Sequence, residues 1–455
     1  MHCVAFGNRN VDISHEDFLG HDLYICCDFP TDGRVMVYAP TLKLLADCEL
    51  DNYFSKNESE HGLLNRIIRE QPEIQYELQS RACNHKSPST YLGRKAKFFP
   101  LSVAITRNCS LACKYCHAEA GRDSDGNDAI LHASLQHAVC QVQKKSLKGL
   151  HVSFAVGGEP TYRWKKFTNF VGQVNEAAQE GRFGLHKAIT TNGYYGPQKR
   201  AFLASEFDSI LLSFDGPKAI HDRLRPTKAG RSSFDLVLAS ARYFSKYAKS
   251  FAVRCTVTES SLEQIEEIVS FFIEIAALQE RHDIVLEPMI AIGRGTHDAH
   301  LQPSGEAFAK SFWRAYQYGK VRGYRVKSSA FNATRLVTAF CHAMSIPSFA
   351  VIVDGKVTAC ERDCDGQDYA YGTFDGTTET FVLDNDAIHK NELRAAVPTH
   401  CDCCICKWHC AGDCPDTRRF GYDRCVGNRF LLLAHLKELL ETKSKGGLHE
   451  DRSDC

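Results

Sequence analysis

Cys109, Cys113 and Cys116 place three thiols within eight residues, spaced C-x3-C-x2-C. A closed tetrahedral zinc site or a complete iron–sulfur cube takes four ligands. Three close thiols with no local fourth suit instead a [4Fe–4S] cluster with one iron left open. An open iron can bind a small molecule and do chemistry on it. Zinc held by Cys109, Cys113, Cys116 and the adjacent His117 is the rival reading, and spacing alone leaves both standing. A second set of thiols lies downstream: ten of the 21 cysteines fall between Cys341 and Cys425. A chain of 455 residues has no need of disulfide staples, so this density reads as metal or redox chemistry in a reducing compartment.

The elements that must hold these residues follow from hydrophobic periodicity. Leu101 to Thr106 reads as a short buried strand, which puts the three thiols on the loop leaving it. Val152, Phe154 and Val156 alternate as a second strand, and Trp164, Phe167, Val171 and Val174 follow at helical spacing. His186 to Thr191, Ser209 to Phe214, Phe251 to Val257 and Asp283 to Met289 read as four more strands. Between them, Phe234, Val237, Ala241 and Phe244 form one helix stripe, and Ser261-Leu-Glu-Gln264 opens another helix as a capping box. Six such units predict an α/β chain with a parallel sheet, most simply a partial (β/α)6 barrel. Ligands on such sheets bind at the carboxyl ends of the strands. Gly157-Gly158-Glu159-Pro160, Thr191-Asn192-Gly193 and Ser213-Phe214-Asp215-Gly216-Pro217 all fall there, the last followed by His221-Asp222 and Arg225.

The C-x3-C-x-aromatic-C loop, with Tyr115 as the aromatic, resembles the signature of the radical S-adenosylmethionine (SAM) enzymes. The resemblance implies that Cys109, Cys113 and Cys116 hold a [4Fe–4S] cluster whose open iron chelates SAM, with Tyr115 beside the adenine. It implies that Gly157, Gly158, Glu159 and Pro160 hold the SAM amino group. Asn192, Ser213 and Asp215 line the cofactor, the last two at its ribose or carboxylate, and Arg254 on the fifth strand pairs with the carboxylate. An exposed surface charge is the plain alternative for Arg254. Glu287-Pro288 and Gly293-Arg-Gly295 are placed at the mouth of the site.

From Cys341 the order is C-x13-G-x4-C, a gap, C-x2-C-x5-C-x3-C, a gap, then Cys425. It resembles the SPASM extension of radical SAM enzymes, and seven matched positions exceed what one zinc can use. The resemblance implies a first auxiliary cluster on Cys341, Cys360 and Cys414 and a second on Cys401, Cys404, Cys410 and Cys425. The first lacks an obvious fourth ligand; Cys364, Cys403 and Cys406 are the candidates. A hairpin through Val351 to Val357 is expected to bring Cys341 towards Cys360.

Three regions result: 1–95, 96–330 and 331–455. In the first, His21 to Tyr38 reads as two strands around a Pro-Thr-Asp-Gly turn, with helical pieces at Thr41 to Leu50 and Gly62 to Glu70 and a polar linker at Ser80 to Lys97. A strand-plus-helix module here is similar to the leader-binding modules of peptide-modifying enzymes; a structural cap is the plain alternative. The end of the chain carries a helix over Arg429 to Leu440 and a tail, 443–455, expected to be disordered. Lys and Arg total 55, as do Asp and Glu, which excludes strong general affinity for nucleic acid or anionic lipid. No apolar run approaches the roughly 18–20 residues of a membrane span. No basic-then-apolar start marks a secretory signal, so a cytoplasmic enzyme is expected.

The function implied is peptide maturation: a SAM-derived 5′-deoxyadenosyl radical takes a hydrogen atom from a precursor peptide, and a thioether or carbon–carbon crosslink forms. Flavodoxin or ferredoxin is the expected electron donor. The alternatives are oxidation of a sulfatase Cys or Ser to formylglycine, and a non-enzymatic metal-binding regulator.

Overall fold

The computed structural model describes residues 2–6, 9–18, 21–27, 29–31, 34–49, 60–84, 97–329, 332–341 and 348–445. Its frame is one long sheet. Seven parallel strands, β6 (Phe98–Val103), β7 (Gly149–Phe154), β8 (Gly184–Thr191), β9 (Ser209–Ser213), β10 (Phe251–Val257), β11 (Asp283–Pro288) and β12 (Arg325–Lys327), stand in sequence order. The six strands expected from the periodicity are all present; the short β12 was not foreseen. The sheet is not closed. The outer edge of β6 pairs with β13 (Phe349–Val351), parallel, and β14 (Lys356–Thr358), β15 (Ala370–Asp375) and β16 (Thr380–Leu383) continue it antiparallel. The expected hairpin is the β13–β14 pair.

Alternation decides which side chains see the inside of the curve. On β10, Val253, Cys255 and Val257 are buried on the helix side, and this turns Arg254 and Thr256 inward. On β11, Ile284 and Leu286 pack outward and Val285 and Glu287 face in. The helices supply the matching apolar stripes: Phe167, Phe170, Val171 and Val174 on Trp164–Gly181, and Phe234, Val237, Ala241 and Phe244 on Phe234–Tyr247. The capping box forms three residues earlier than expected. Thr258 is the cap and Ser261 its third residue, on the turn Glu259–Ser261, and the helix proper starts at Ile265.

The N-terminal region is a five-stranded antiparallel sheet: β1 (His2–Phe6), β2 (Arg9–Phe18), β3 (His21–Cys27), β4 (Arg34–Ala39) and β5 (Leu44–Glu49). The helix expected at Thr41 to Leu50 is instead a turn, Pro40–Leu42, followed by β5. Lys43 takes a left-handed φ of 53° and ends the turn, and pairing with the apolar β4, reinforced by Arg34 Nε on Asp47 Oδ2 at 2.7 Å, outweighs helix propensity. Cys26 and Cys27 face opposite sides of β3, and both are buried. Cys27 packs with Leu63, Ile67 and Leu78 on the helices Glu60–Glu70 and Pro72–Asn84, and Cys26 joins the main core. The second helix occupies the start of the expected linker; its remainder, and the end of the expected tail, lie outside the described residues.

The cysteine-rich region covers that other face of the sheet. Trp408 Nε1 donates to Asp22 Oδ2 at 2.6 Å, the Tyr38 hydroxyl meets His409 Nε2 at 2.5 Å, and Phe6 stacks near Phe430. Among the described residues no helix is long and apolar enough to cross a membrane.

Candidate functional site

The loop leaving β6 is fixed before the first thiol is reached. Thr106 Oγ1 donates to Asp125 Oδ1 at 2.6 Å, Asn108 Nδ2 to Asp123 Oδ1 at 2.7 Å, and Arg107 pairs with Asp365. Beyond Cys109 the backbone is strapped to the segment after β9, through Ala112 N to Pro226 O at 2.8 Å and Lys114 N to Leu224 O at 3.0 Å. Arg294 clamps the far side, its guanidinium donating to Cys113 O at 2.9 Å and Ala120 O at 2.6 Å. Thus Gly293-Arg-Gly295 grips the loop, and Gly293 is a glycine because a Cβ there would stand 2.5 Å from His117 O.

Cys109, Cys113 and Cys116 share the wall of a cavity of about 490 Å³ at the carboxyl ends of the strands, within the usual range for small-molecule sites. Each sulfur has nitrogen donors. Leu111 N and Asn192 Nδ2 each reach Cys109 Sγ at 3.5 Å, Ala120 N reaches Cys116 Sγ at 3.4 Å, and Arg225 Nη1 reaches Cys113 Sγ at 3.7 Å. Burial pushes the Cys109 thiol up to about 12 and the Cys113 thiol to about 11. Thiolates in this place therefore need a cationic partner, and a metal cluster supplies one. Among the described residues no three His, Cys, Asp or Glu side chains converge as a single metal ion requires.

Tyr115, Gly157, Gly158, Glu159, Asn192, Ser213 and Arg254 also line the cavity. Glu159 is a hub that joins the ends of β7 and β8. Its carboxylate accepts from Thr161 N, Thr161 Oγ1, Thr191 Oγ1 and Asn192 N at 2.7–3.2 Å. Pro160 lies off the wall and starts the turn Pro160–Arg163. Asp215 also lies behind the wall, fully buried. It accepts from the Tyr115 hydroxyl, from Arg225 Nε at 2.9 Å and from Thr256 N at 3.0 Å. Arg254 is half-buried, and its guanidinium has no hydrogen-bond partner among the described residues. Gly158 is packed hard against the loop: a Cβ there would meet Asn108 O at 2.1 Å. Gly158→Ala therefore shifts the backbone that carries Cys109, an overpacking worth about 1–3 kcal/mol. SAM affinity, measured anaerobically by equilibrium dialysis, is expected to fall about tenfold. Gly172→Ala, in open space on a helix, should leave it unchanged.

His221 ties this wall together. Its Nδ1 accepts from Asp215 N at 3.2 Å, so Nε2 carries the proton and donates to Ser233 Oγ at 3.0 Å. Burial lowers its pKa to about 4, against the pull of Asp215. Between about pH 6.5 and about 4 the unfolded chain holds this proton and the folded chain does not. Stability accordingly falls as pH drops through that window, by on the order of 3 kcal/mol once fully expressed. Urea midpoints compared between neutral and mildly acidic pH should show the slope, and His221→Gln should flatten it.

The cysteine-rich region reaches the same cavity. Cys414, Arg362, Thr417 and Arg424 line it opposite the loop, with Phe340. Cys360 and Cys414 are neighbours, and Cys341 packs on the main core. Cys401, Cys404, Cys410 and Cys425 form a second group, joined by Cys406, whose thiol donates to Cys404 and, with Arg429 alongside, lowers that thiol to about 5. Five thiols there keep the choice of four open. Cys364 does not join Cys360; it packs with Cys116 behind the loop and donates to Glu361 O at 3.6 Å. Cys403 is exposed. Arg362 and Arg424 carry no sequence signal, and Arg294 is marked within Gly293-Arg-Gly295 at the mouth of the site without a role of its own. Arg225 is marked as the arginine after His221-Asp222.

Residues 103–272 match the Radical SAM superfamily. The chain carries a radical SAM domain. It is an enzyme whose cofactors are SAM and [4Fe–4S] iron–sulfur. The loop thiols, their nitrogen donors and the cavity beside Tyr115 fit that pair: Cys109, Cys113 and Cys116 would hold the cluster and the glycine wall the SAM. When bound, these cofactors supply a 5′-deoxyadenosyl radical. The chain is 24% identical over 332 residues to the cysteine-type anaerobic sulfatase-maturating enzyme of Clostridium perfringens, covering 69% of this chain and 89% of the relative. It is 22% identical over 355 residues to the serine-type enzyme of Bacteroides thetaiotaomicron, covering 72% and 85%. Among solved structures, native anSMEcpe with bound AdoMet superposes at a TM-score of 0.57 with 18% identity, over 76% of this chain and 100% of that one. Streptococcus suis SuiB bound to precursor peptide SuiA superposes at 0.50 with 15% identity, over 89% and 94%. The fold, one mostly parallel open sheet, is thus shared with both.

Proposed function

We propose that the chain is a radical SAM peptide maturase that takes a hydrogen atom from a carbon of a bound peptide and closes a thioether or carbon–carbon crosslink. One observation carries the reading: Cys414, Arg362, Thr417 and Arg424 of the cysteine-rich region line the same cavity as Cys109, Cys113 and Cys116. An auxiliary cluster held there would face the reacting substrate and take the second electron lost as the crosslink closes, the second proton leaving to solvent. Arg254 is the natural seat for the SAM carboxylate: its planar fork, near Glu287, has no hydrogen-bond partner among the described residues and suits bidentate recognition. The module at 1–95 supports a peptide with a leader segment, and the likeness to SuiB with SuiA runs over more of the chain than the likeness to anSMEcpe. The electron donor proposed is a flavodoxin or ferredoxin, and the compartment a reducing one.

Formylglycine formation on a sulfatase is the second reading, favoured by the sulfatase-maturating relatives. One experiment separates them. The reconstituted enzyme, SAM and reductant are incubated without oxygen with a precursor peptide encoded beside the gene, and in parallel with a Cys- or Ser-containing sulfatase peptide. A precursor lighter by two hydrogens, with a linkage that resists thiol reduction, supports crosslinking. A sulfatase peptide that gains a hydrazide-reactive aldehyde, with the precursor unchanged, overturns it in favour of the second reading.

A further inference from the structure

The three loop sulfurs do not sit in equal surroundings. Cys109 and Cys116 receive neutral amide donors, whereas Cys113 faces a guanidinium, Arg225 Nη1 at 3.7 Å. Arg225 is the single charged side chain that hydrogen-bonds these sulfurs among the described residues. It is 6% exposed and immobilised on every side. Nε donates to Asp215 Oδ2 at 2.9 Å, the guanidinium lies 5.0 Å from the centre of the Tyr115 ring, and its carbonyl accepts from Ser233 Oγ at 2.6 Å. Asp215 is itself held by Thr256 N and the Tyr115 hydroxyl. A positive and a negative charge are thus fixed in line behind one sulfur, the positive end nearer.

A cluster on three thiolates gains a further negative charge when reduced. A fixed cation against one sulfur, in a site of low dielectric, stabilises the reduced form more than the oxidised one. A carboxylate one step further away partly cancels that effect. We propose that Arg225 sets the reduction potential of the cluster held by Cys109, Cys113 and Cys116, raising it through the Cys113 sulfur, and that Asp215 limits the rise. Arg225 is a positioning residue in this role: it acts on the electron affinity of the group through the Cys113 sulfur. The inference rests on the assignment of those three ligands and is independent of which bond the enzyme forms.

The test is a redox titration of the reconstituted full chain followed by electron paramagnetic resonance. The loop cluster's signal is identified as the one missing from Cys113→Ala. Arg225→Gln should lower its midpoint, cutting the reduced-to-oxidised ratio at fixed potential about tenfold, which is ~59 mV for a one-electron couple. Asp215→Asn keeps the shape of the side chain and should move the midpoint the other way. Arg225→Lys keeps the charge and should stay closer to the parent than Arg225→Gln. Opposite shifts in Arg225→Gln and Asp215→Asn, at parental iron content, are the expected result. Equal or same-signed shifts in the two overturn it, leaving Arg225 a purely structural residue. Should Arg225→Gln not fold, an unshifted or lowered midpoint in Asp215→Asn overturns it alone. If Cys113→Ala keeps every signal, the ligand assignment falls and the inference with it.

Discussion

Cys113→Ala, purified and reconstituted without oxygen, is expected to release no 5′-deoxyadenosine above background when given SAM and reductant, while the parent releases it readily. The effect is all-or-none because the site has no spare ligand. Three thiols line this end of the cavity, and the nearest additional one, Cys364, packs behind the loop in an apolar group with Cys116 and Val156. Ala at 113 also strips Arg225 of its sulfur partner. The fold should survive the change, because the loop is held by backbone bonds to Leu224 and Pro226 and by Arg294. Liquid chromatography of the nucleoside, with circular dichroism as the control for folding, checks both halves. Continued release by the variant would remove the basis of the site.

Asp413→Ala should be the most destabilising single change in the cysteine-rich region. Asp413 and Arg424 form a two-pronged ion pair, Nη2 to Oδ1 at 2.6 Å and Nε to Oδ2 at 2.9 Å, with both side chains about 5% exposed. Burial opposes the charge on Arg424, but Asp413 outweighs it and holds the guanidinium's pKa above its usual value. Removing one partner of a buried pair costs about 3–5 kcal/mol, because the other charge is left unpaired. The pair also joins the Cys410–Cys414 turn to the start of the helix Cys425–Lys445, and Asp413 Oδ1 accepts from Cys414 N at 2.6 Å. Asp413 further occupies the left-handed region, with φ 65°, which Ala tolerates poorly. A fall in Tm of roughly 3–5 °C, with iron lost from the C-terminal region, is expected. Asp413→Asn, which suits the left-handed backbone, should lose less.

The parallel core was legible because its strands and helices carry clean periods. Phe251 to Val257 alternates without a break, and it forms β10 with those ends. The thiol loop and the glycine wall were legible because close approach to a ligand restricts residue types. What the sequence hid depends on distant partners. Nothing near Leu44 says that β4 will outbid a helix for it. The sheet's continuation through β13 to β16 required knowing that Phe349 pairs beside Leu101. Asp215 reads as a ligand-facing acid at a strand end, yet Arg225, ten residues on, draws it behind the wall. Arg294 lies 181 positions from the carbonyl of Cys113 that it clamps.

The seat of the N-terminal sheet also fixes an order of events at the ribosome. Asp22 and Tyr38 are made before Trp408 and His409, which follow them by 386 and 371 positions. The side bearing Cys27 can be covered at once by its own two helices; the side bearing Cys26 must stay open until the cysteine-rich region has been made. Until then that nascent face is an apolar surface awaiting its lid, and the closing step brings the Cys401–Cys425 region against it.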